Sequence, residues 1–451
     1  MALSNSLRQG RRLLCQHRGA VAVAITHHDF STSSQQQDKH SFKCLIVGGG
    51  AGGIAMAAKL ARKLGKGQVG LIEPHENHVY QPMWTLVGGG LKKMEQSIRP
   101  QSDVMPKNCQ WIADTAEKFD PDNNTVVTGK GHEVKYEYLI LATGIQLNYH
   151  LIKGLPEGFK ADPQLCSNYS MFTAPKTFPA IQNFQGGNAI FTFPNTPIKC
   201  AGAPQKIMYL AEDYFRKNGK RDSANVIFNT SLGVIFGVKK YADRLTDVYK
   251  SRGITVNFKH NLIEVRPEKR EAVFEVLESD PKETVTFNYD MLHVTPPMSG
   301  VDSVRNSALA DENGYVDTVK ETLQHKKYPN VFGIGDCTNV PTSKTAAAVA
   351  GQCGVLLRTI SAVMKGKTPK PRYDGYTSCP LITGYGKAIL AEFDFDGQPL
   401  ETFPFDQGRE MRTMYHLKKD IMPEIYWQML LKGLWNGPRV YRKMMHLGLS
   451  R

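Results

Sequence analysis

Cysteine is scarce in this sequence, with eight residues in 451, and no two of them have the CxxC spacing of a zinc knuckle or a thioredoxin-like site. So few cysteines, so irregularly spaced, exclude a small scaffold held together by disulfides. No metal site is predicted either. Any two cysteines that act together must therefore be brought together by the fold.

Long apolar runs are also lacking: no run of about 18 residues or more occurs, which argues against a membrane-spanning helix. Acidic residues are in deficit, since 42 Asp and Glu stand against 56 Lys and Arg, for a formal net charge of +14. Such an excess indicates an acidic partner: nucleic acid, an anionic membrane face or an anionic ligand. The bases form no recognisable nucleic-acid reader motif, so no nucleic-acid partner is expected.

The N-terminal segment has no acidic residue before Asp29 and is rich in Arg, Ser and Gln. This composition is typical of a mitochondrial transit peptide, which we predict over residues 1–40. A disordered basic arm is the alternative interpretation.

The first candidate site is a glycine-rich turn between an apolar strand at residues 42–47 and a helix at residues 54–64. In a dinucleotide-binding fold, Gly48 would permit the tight turn, Gly50 would let the backbone approach a pyrophosphate, and Gly53 would allow close helix packing. The next strand ends at Glu73, about 20 residues later, where an acid accepts hydrogen bonds from a ribose. The sequence therefore predicts a dinucleotide site.

A second strand–loop–helix unit, at residues 188–215, has no glycine fingerprint, and its next strand (225–229) ends without an acid. We therefore expect that NAD(P)H is not the electron donor. Cys200 occupies this loop beside Lys199, and both that ammonium and the following helix should lower the pKa of its thiol. The alternative for any single cysteine is an inert buried residue.

Two later segments, 138–144 and 330–336, resemble the FAD-binding segments of flavoproteins with two dinucleotide-binding domains. That resemblance implies that Asp336 contacts the ribityl-phosphate region of the flavin. It also implies that a helix beginning near residues 342–348 points its N-terminus at the isoalloxazine. Lys344 would then stabilise the anionic reduced flavin. The alternative is a solvated lysine in the first helical turn.

With Cys379 in the segment Tyr-Thr-Ser-Cys at residues 376–379, the chain after residue 40 closely resembles the sulfide:quinone oxidoreductases. The resemblance implies that Cys200 and Cys379 form a redox pair on one face of a noncovalently bound FAD. A role for a third cysteine, Cys166, is left open. The full set of expected cofactor contacts is Gly48, Gly50, Ala51, Gly52, Gly53, Glu73, Gln81, Ala116, Gly144, Asp336 and Lys344.

The same resemblance implies oxidation of hydrogen sulfide, with two electrons passed to ubiquinone and the sulfane sulfur passed to glutathione or sulfite. It further implies a peripheral or monotopic position on the matrix side of the mitochondrial inner membrane. Two alternatives are an NAD(P)H-dependent FAD quinone reductase of the same fold and a non-catalytic membrane-bound flavoprotein.

The C-terminal tail, residues 401–451, combines Trp and Met with an excess of bases, and two apolar segments stand at residues 425–435 and 441–449. Such segments fit helices lying in the interface of an anionic bilayer. A hairpin docked on the protein's own core and a dimer interface are the alternatives. Because the quinone implied by the resemblance lies in the bilayer, we favour the interpretation that these helices lie in the membrane interface.

We thus predict an α/β fold with two Rossmann-like domains, one of them degenerate, and a C-terminal membrane-associating helical segment. The expected divisions are the transit peptide (1–40), the FAD-binding domain (41–160 and 296–372), the second Rossmann-like domain (161–295) and the region of the redox cysteine and membrane interface (373–451).

Overall fold

The computed structural model describes residues 40–370 and 372–449. Residues 1–39 of the predicted transit peptide lie outside the described residues. In chain order the strands are β1 (His40–Val47), β2 (Val69–Ile72), β3 (Asn77–Val79), β4 (Ile98–Pro100), β5 (Cys109–Ile112), β6 (Ala116–Asp120), β7 (Thr125–Thr128), β8 (Glu133–Leu141), β9 (Ile145–Leu147), β10 (Leu165–Cys166), β11 (Gly187–Phe193), β12 (Ala224–Thr230), β13 (Thr255–Phe258), β14 (His260–Arg266), β15 (Glu271–Val276), β16 (Glu283–Asn288), β17 (Met291–His293), β18 (Met298–Gly300), β19 (Val331–Gly333), β20 (Thr377–Gly384) and β21 (Lys387–Phe393). The helices are α1 (Ala51–Leu64), α2 (Trp84–Gly88), α3 (Gln101–Val104), α4 (Leu155–Ala161), α5 (Ala174–Asn183), α6 (Ala203–Lys217), α7 (Lys239–Ser251), α8 (Asp302–Arg305), α9 (Ala346–Val363), α10 (Arg412–His416), α11 (Met422–Glu424) and α12 (Arg439–Met445).

The first sheet has the order β5-β2-β1-β8-β7-β6, and β19 also pairs with β8, on the side away from β1. Strand β1 lies between β2 and β8 and runs parallel to both. Its last four residues, Cys44 to Val47, are buried because helices or strands cover both faces, as is usual for a central parallel strand. The pairing of β19 with β8 joins the two predicted FAD segments, since each ends at the same edge of this sheet.

The second sheet is parallel throughout, in the order β10-β17-β11-β12-β13. Strand β11 corresponds to the strand predicted at residues 188–193, and α6 corresponds to the helix predicted after Cys200. An antiparallel sheet, β14-β15-β16, is inserted before β17. The α/β class with two Rossmann-like units is therefore confirmed.

Helix α9 is long and apolar enough to cross a membrane by length and composition, and among the described residues no other helix passes that test. More than half of it is buried, and it contacts α1 and β20. These contacts are those of a core helix in a globular protein.

The C-terminal region begins with the antiparallel pair β20 and β21 and continues as alternating α and π turns over residues 412–430. Tyr426 and Trp427 are buried. The Nζ atom of Lys59, on α1, donates hydrogen bonds to the Gly433 carbonyl and to Asn436 Oδ1, each at 2.8 Å. The first predicted tail segment is thus docked on the protein's own core.

The end of the tail differs from the docked segment in its exposure. The side chains of Val440, Met444, Leu447 and Leu449 are 67%, 68%, 87% and 90% exposed. The second predicted tail segment therefore presents apolar side chains outward from α12 and the residues after it.

Candidate active site

A cavity of about 810 Å³ lies at the carboxyl ends of the first sheet's strands. Its wall contains residues that directly follow the strands β1, β2, β8 and β19, which is where ligands bind in open parallel sheets. The predicted site residues on this wall are Gly48, Gly50, Ala51, Gly52, Glu73, Gln81, Gly144, Cys200, Asp336 and Lys344.

The glycine-rich turn leaves room for a ligand at one position and for none at another. Gly48 has a positive φ of +102°, and a Cβ added at Gly53 would lie 1.8 Å from the Gly48 carbonyl oxygen, so these two glycines allow close packing of α1 on β1. A Cβ added at Gly50 would meet no atom within 4 Å. Gly50 also precedes α1 without a side-chain cap. The free backbone donors at this helix start fit an anionic pyrophosphate.

Glu73 is held as an acceptor at the edge of the cavity. One carboxylate oxygen accepts from the Gly49 N–H at 2.6 Å, and the other accepts from the His75 N–H at 2.8 Å and lies 2.6 Å from His75 Nδ1. Burial tends to raise the pKa of Glu73, but these hydrogen bonds outweigh it and lower that pKa. The group is thus ionised where a ribose acceptor was predicted.

Ala116 is not among the cavity-lining residues. It begins β6, pairs with Thr128 and packs against a core cluster on the first sheet. Its adenine contact stays a prediction.

Lys344 is half-buried, and its ammonium is hydrogen-bonded to backbone carbonyls at the cavity wall; its role toward the flavin stays a prediction. Its Nζ donates to the carbonyls of Asp336 at 2.6 Å and Thr338 at 3.0 Å, and it lies 4.2 Å from the centre of the Tyr315 ring. Burial lowers the pKa of Lys344 and raises that of the Asp336 carboxyl. Helix α9 begins just after Lys344 and is capped by the Thr345 side chain.

Cys200 and Cys379 are brought together from positions 179 residues apart, with 3.7 Å between their sulfur atoms. Cys379 lies on β20 and is 1% exposed, whereas Cys200 lines the cavity. The Cys200 N–H donates to the Lys344 carbonyl at 2.8 Å, which ties the cysteine loop to the segment before α9. Cys200 itself has a left-handed backbone, with φ of +53°.

The ammonium beside Cys200 belongs to Lys206, and the expectation for Lys199 was wrong. Lys206 Nζ lies 3.1 Å from Cys200 Sγ, whereas Lys199 Nζ lies over the Trp84 ring, 5.3 Å from its centre. Lys206 stands on the buried face of α6. A lysine among the apolar residues after Pro204 was the sequence signal that could have identified it.

The two thiols have opposite pKa shifts. A hydrogen bond from the Cys379 thiol, together with the Lys206 ammonium, outweighs burial and lowers the pKa of Cys200 well below its usual range. The same hydrogen bond and burial raise the pKa of Cys379. In the reduced pair, Cys200 is therefore the thiolate and Cys379 the thiol that donates to it.

The other described cysteines are not part of this site. Cys166 is buried in β10, where burial raises the pKa of its thiol to about 12, and Cys337 is buried with its sulfur 3.3 Å from the Leu141 carbonyl oxygen. Neither lines the cavity. Over residues 40–370 and 372–449, no group of three or more His, Cys, Asp or Glu residues is arranged to hold a metal ion.

Residues 42–176 match the family model described as pyridine nucleotide-disulphide oxidoreductase. The chain is 60% identical to the mitochondrial sulfide:quinone oxidoreductase of Mus musculus, over 91% of each chain. It is 44% identical to the mitochondrial sulfide:quinone oxidoreductase of Dictyostelium discoideum, over 90% of each chain. This chain belongs to the sulfide:quinone oxidoreductase family. The sulfide:quinone oxidoreductase of Aquifex aeolicus shares the fold, with a TM-score of 0.73 at 21% identity over 92% of this chain and 96% of that one.

Sulfide:quinone oxidoreductases are FAD-dependent, and the cavity fits this cofactor. Open space at Gly50, the uncapped start of α1 and the ionised Glu73 suit the pyrophosphate and ribose of a dinucleotide. Several buried polar side chains on the cavity wall, Trp84 and Asn168 among them, have polar atoms without a hydrogen-bond partner within the described part of the chain. Polar groups of a bound ligand would satisfy them.

Proposed function

We infer that this protein is a mitochondrial FAD-dependent enzyme that oxidises hydrogen sulfide at Cys200 and Cys379 and passes two electrons to a quinone. The observation that carries this function is the sulfur pair, 3.7 Å apart, with Cys200 on the wall of the dinucleotide cavity. Structural disulfides are rare in a reducing compartment, so two cysteines that meet beside a flavin cavity fit a redox role.

The second Rossmann-like unit supports sulfide over NAD(P)H as the electron donor. Its strand β11 is followed by the loop that carries Cys200, and a hydrogen bond to Lys344 holds that loop against the segment before α9. The next strand, β12, ends at Thr230 and is followed by Ser231, so no acid is placed to hold a second ribose. The loop position that binds a pyrophosphate in this fold carries the redox cysteine instead.

In the first step, hydrosulfide attacks the Cys379 sulfur of a Cys200–Cys379 disulfide. The new bond makes Cys379 a persulfide, the old S–S bond breaks, and its electron pair leaves on Cys200 as a thiolate. The Lys206 ammonium stabilises that leaving thiolate.

In the second step, a small nucleophile attacks the outer sulfur of the Cys379 persulfide and carries it away, which leaves a thiolate on Cys379. Glutathione and sulfite are the acceptors that we propose. Closure of the disulfide from the two thiolates releases two electrons, and FAD supplies the chemistry that takes up this pair and delivers it to ubiquinone. Cys200 is the sulfur on the cavity side and is the one placed to release them.

The tail supports a quinone site that opens toward a membrane. Met422, Ile425, Met429, Trp435, Tyr441 and Met445 form an apolar part of the cavity wall. Outward-facing apolar residues follow in and after α12, together with the cations Arg439 and Lys443. We propose that this end of the molecule lies in the anionic surface of the inner membrane on its matrix side.

The decisive experiment is an anaerobic titration of the holoenzyme with sulfide in the presence of sulfite or glutathione, followed through the flavin absorbance; the reduced flavin is then reoxidised with a short-chain quinone. We expect sulfide to bleach the flavin and NADH to leave it oxidised. Cys200→Ser and Cys379→Ser should bind FAD and lose sulfide-dependent quinone reduction, with Cys166→Ser as the matched control that keeps it. Bleaching by NADH, or normal turnover in either serine variant at the pair, would refute this function.

A further inference from the structure

His78 is a buried histidine whose two ring nitrogens contact distant parts of the chain. It lies on β3 and is 3% exposed. Its Nδ1 lies 3.0 Å from the carbonyl oxygen of Gly49, in the glycine-rich turn, and its Nε2 lies 2.6 Å from the hydroxyl oxygen of Tyr426, in the tail. The imidazole therefore joins the turn that suits the FAD pyrophosphate to the docked segment of the tail.

The two partners fix which nitrogen of His78 carries the proton. A carbonyl oxygen can only accept, so Nδ1 carries the proton and donates a hydrogen bond to Gly49. Burial has the largest effect on the pKa of His78 and lowers it, so the ring is neutral at pH 7 and Nε2 accepts from the Tyr426 hydroxyl. Removing either partner would leave a buried polar atom of the ring unpaired, which costs more than the bond itself contributes.

The contact at the Gly49 carbonyl sets the direction of the Gly50 N–H. These two groups belong to one planar peptide unit, in which the C=O and the N–H point in opposite directions. The Gly49 carbonyl accepts from His78 and, at 3.2 Å, from Gln101 Nε2. The Gly50 N–H therefore points away from both side chains, at the uncapped start of α1. This N–H is one of the donors expected to meet the pyrophosphate.

Tyr426 belongs to an aromatic cluster that docks the tail on the strand pair β3 and β4. Its ring centre lies 4.4 Å from that of Tyr80 and 5.1 Å from that of Trp427. The guanidinium carbon of Arg99, on β4, lies 4.2 Å from the centre of the Trp427 ring. Arg99 is paired in register with His78 across the two strands. The strand pair that positions His78 thus also holds the tail residues beside it.

We propose that His78 is a positioning residue that couples FAD binding to docking of the tail. With the tail docked, the Tyr426 hydroxyl orients the imidazole, the imidazole holds the Gly49 carbonyl, and the Gly50 N–H is directed at the pyrophosphate. With the tail detached, Nε2 loses its donor and the Gly49 carbonyl loses an oriented partner. This coupling does not depend on which electron donor reduces the flavin.

Coupling of this kind acts in both directions. The factor by which tail docking tightens FAD binding is also the factor by which bound FAD favours the docked tail. The tail supplies an apolar part of the cavity wall, including Met422, Met429 and Trp435. Loading of FAD therefore favours completion of that wall.

The test is a double-mutant cycle on the hydrogen bond between His78 and Tyr426, with the rate of FAD release from the holoenzyme as the readout. Tyr426→Phe removes the hydroxyl and keeps the ring. His78→Asn keeps an amide N–H for the Gly49 carbonyl and has no counterpart of Nε2. We expect each variant to release FAD about 2- to 10-fold faster, which corresponds to one neutral hydrogen bond. The double variant should be no faster than the faster single variant, because both changes remove the same bond.

Tyr415→Phe is the matched control. Tyr415 is another tail tyrosine, 6% exposed against 4% for Tyr426, and its ring packs on His416 away from the cavity wall. This variant should release FAD at the wild-type rate. If His78→Asn does not fold, Tyr426→Phe and its control still decide the question.

Hydrogen exchange gives the reciprocal readout. Backbone exchange over residues 422–436 is compared between the holoenzyme and the FAD-depleted full chain. Removal of FAD should speed this exchange in wild type, and should speed it less in Tyr426→Phe because the coupling bond is already absent. Tail exchange that is the same with and without FAD, additive effects in the double variant, or a Tyr426→Phe variant that releases FAD like wild type would each overturn the inference.

Discussion

Replacing Lys206 by Met should raise the pKa of Cys200, because the variant removes the ammonium 3.1 Å from the Cys200 sulfur and keeps a side chain of similar length. A hydrogen bond to a charged group contributes about 1.5–3 kcal/mol, which corresponds to a thiolate-to-thiol ratio about 10- to 150-fold smaller at a given pH. Since the folded-state pKa of this thiol is lowered, the thiolate is present above that pKa and is lost as the pH falls through it. In Lys206→Met, the Cys200 thiolate should therefore be lost at a higher pH than in wild type.

The assay is the rate of alkylation of the reduced enzyme by iodoacetamide as a function of pH, with Cys200 identified by peptide mapping. Lys199→Met is the matched control, because Lys199 lies over Trp84 and its charge partner is Asp336. We expect its alkylation profile to follow that of wild type. A shifted profile in Lys199→Met with an unshifted one in Lys206→Met would refute the assignment of the ammonium to Lys206.

Two further predictions concern the cofactor loop and the tail. Gly53→Ala should destabilise the protein by at least about 1–3 kcal/mol, the usual cost of overpacking, because the new methyl group would collide with the Gly48 carbonyl; thermal unfolding and FAD retention measure this. Met444→Glu combined with Leu447→Glu should weaken binding to vesicles that contain anionic lipid by tenfold or more, since each exposed apolar side chain contributes about 1.5–3 kcal/mol when buried.

Each of these predictions has a control at a comparable position. Gly50→Ala should fold with wild-type thermal stability before FAD is added, because its methyl group meets no protein atom. Leu151→Glu changes another leucine, 59% exposed and distant in sequence from the tail, and should leave vesicle binding as it is. A stable Gly53→Ala, or a tail double variant that binds vesicles like wild type, would contradict the packing and docking arguments.

Local chemistry made the nucleotide-binding units predictable, whereas contacts between distant segments did not follow from it. The turn from Gly48 to Gly53 requires glycine where the backbone turns tightly and where the helix packs closely on the strand. The flanking strand and helix could therefore be predicted from a few adjacent residues. The meeting of Cys200 with Cys379, 179 residues apart, came only from resemblance to a family. No local pattern indicates that a strand near the C-terminus will lie against a loop of the second Rossmann-like unit.

The prediction that Lys199 supplies the ammonium beside Cys200 was wrong for a physical reason. Lys199 is the neighbour in sequence, but the chain turns through a left-handed conformation at Cys200, and the lysine six residues later, on α6, supplies the contact. Side chains that meet through tertiary packing have no signature in sequence spacing.

The backbone of Cys200 has a consequence for which residue is tolerated there. With φ of +53°, the position lies in the region that glycine adopts freely and that costs other residues about 1–2 kcal/mol. A glycine at this point would be conformationally easier and chemically useless. Selection for folding and selection for sulfur chemistry therefore favour different residues at position 200, and the presence of cysteine shows which of the two has prevailed.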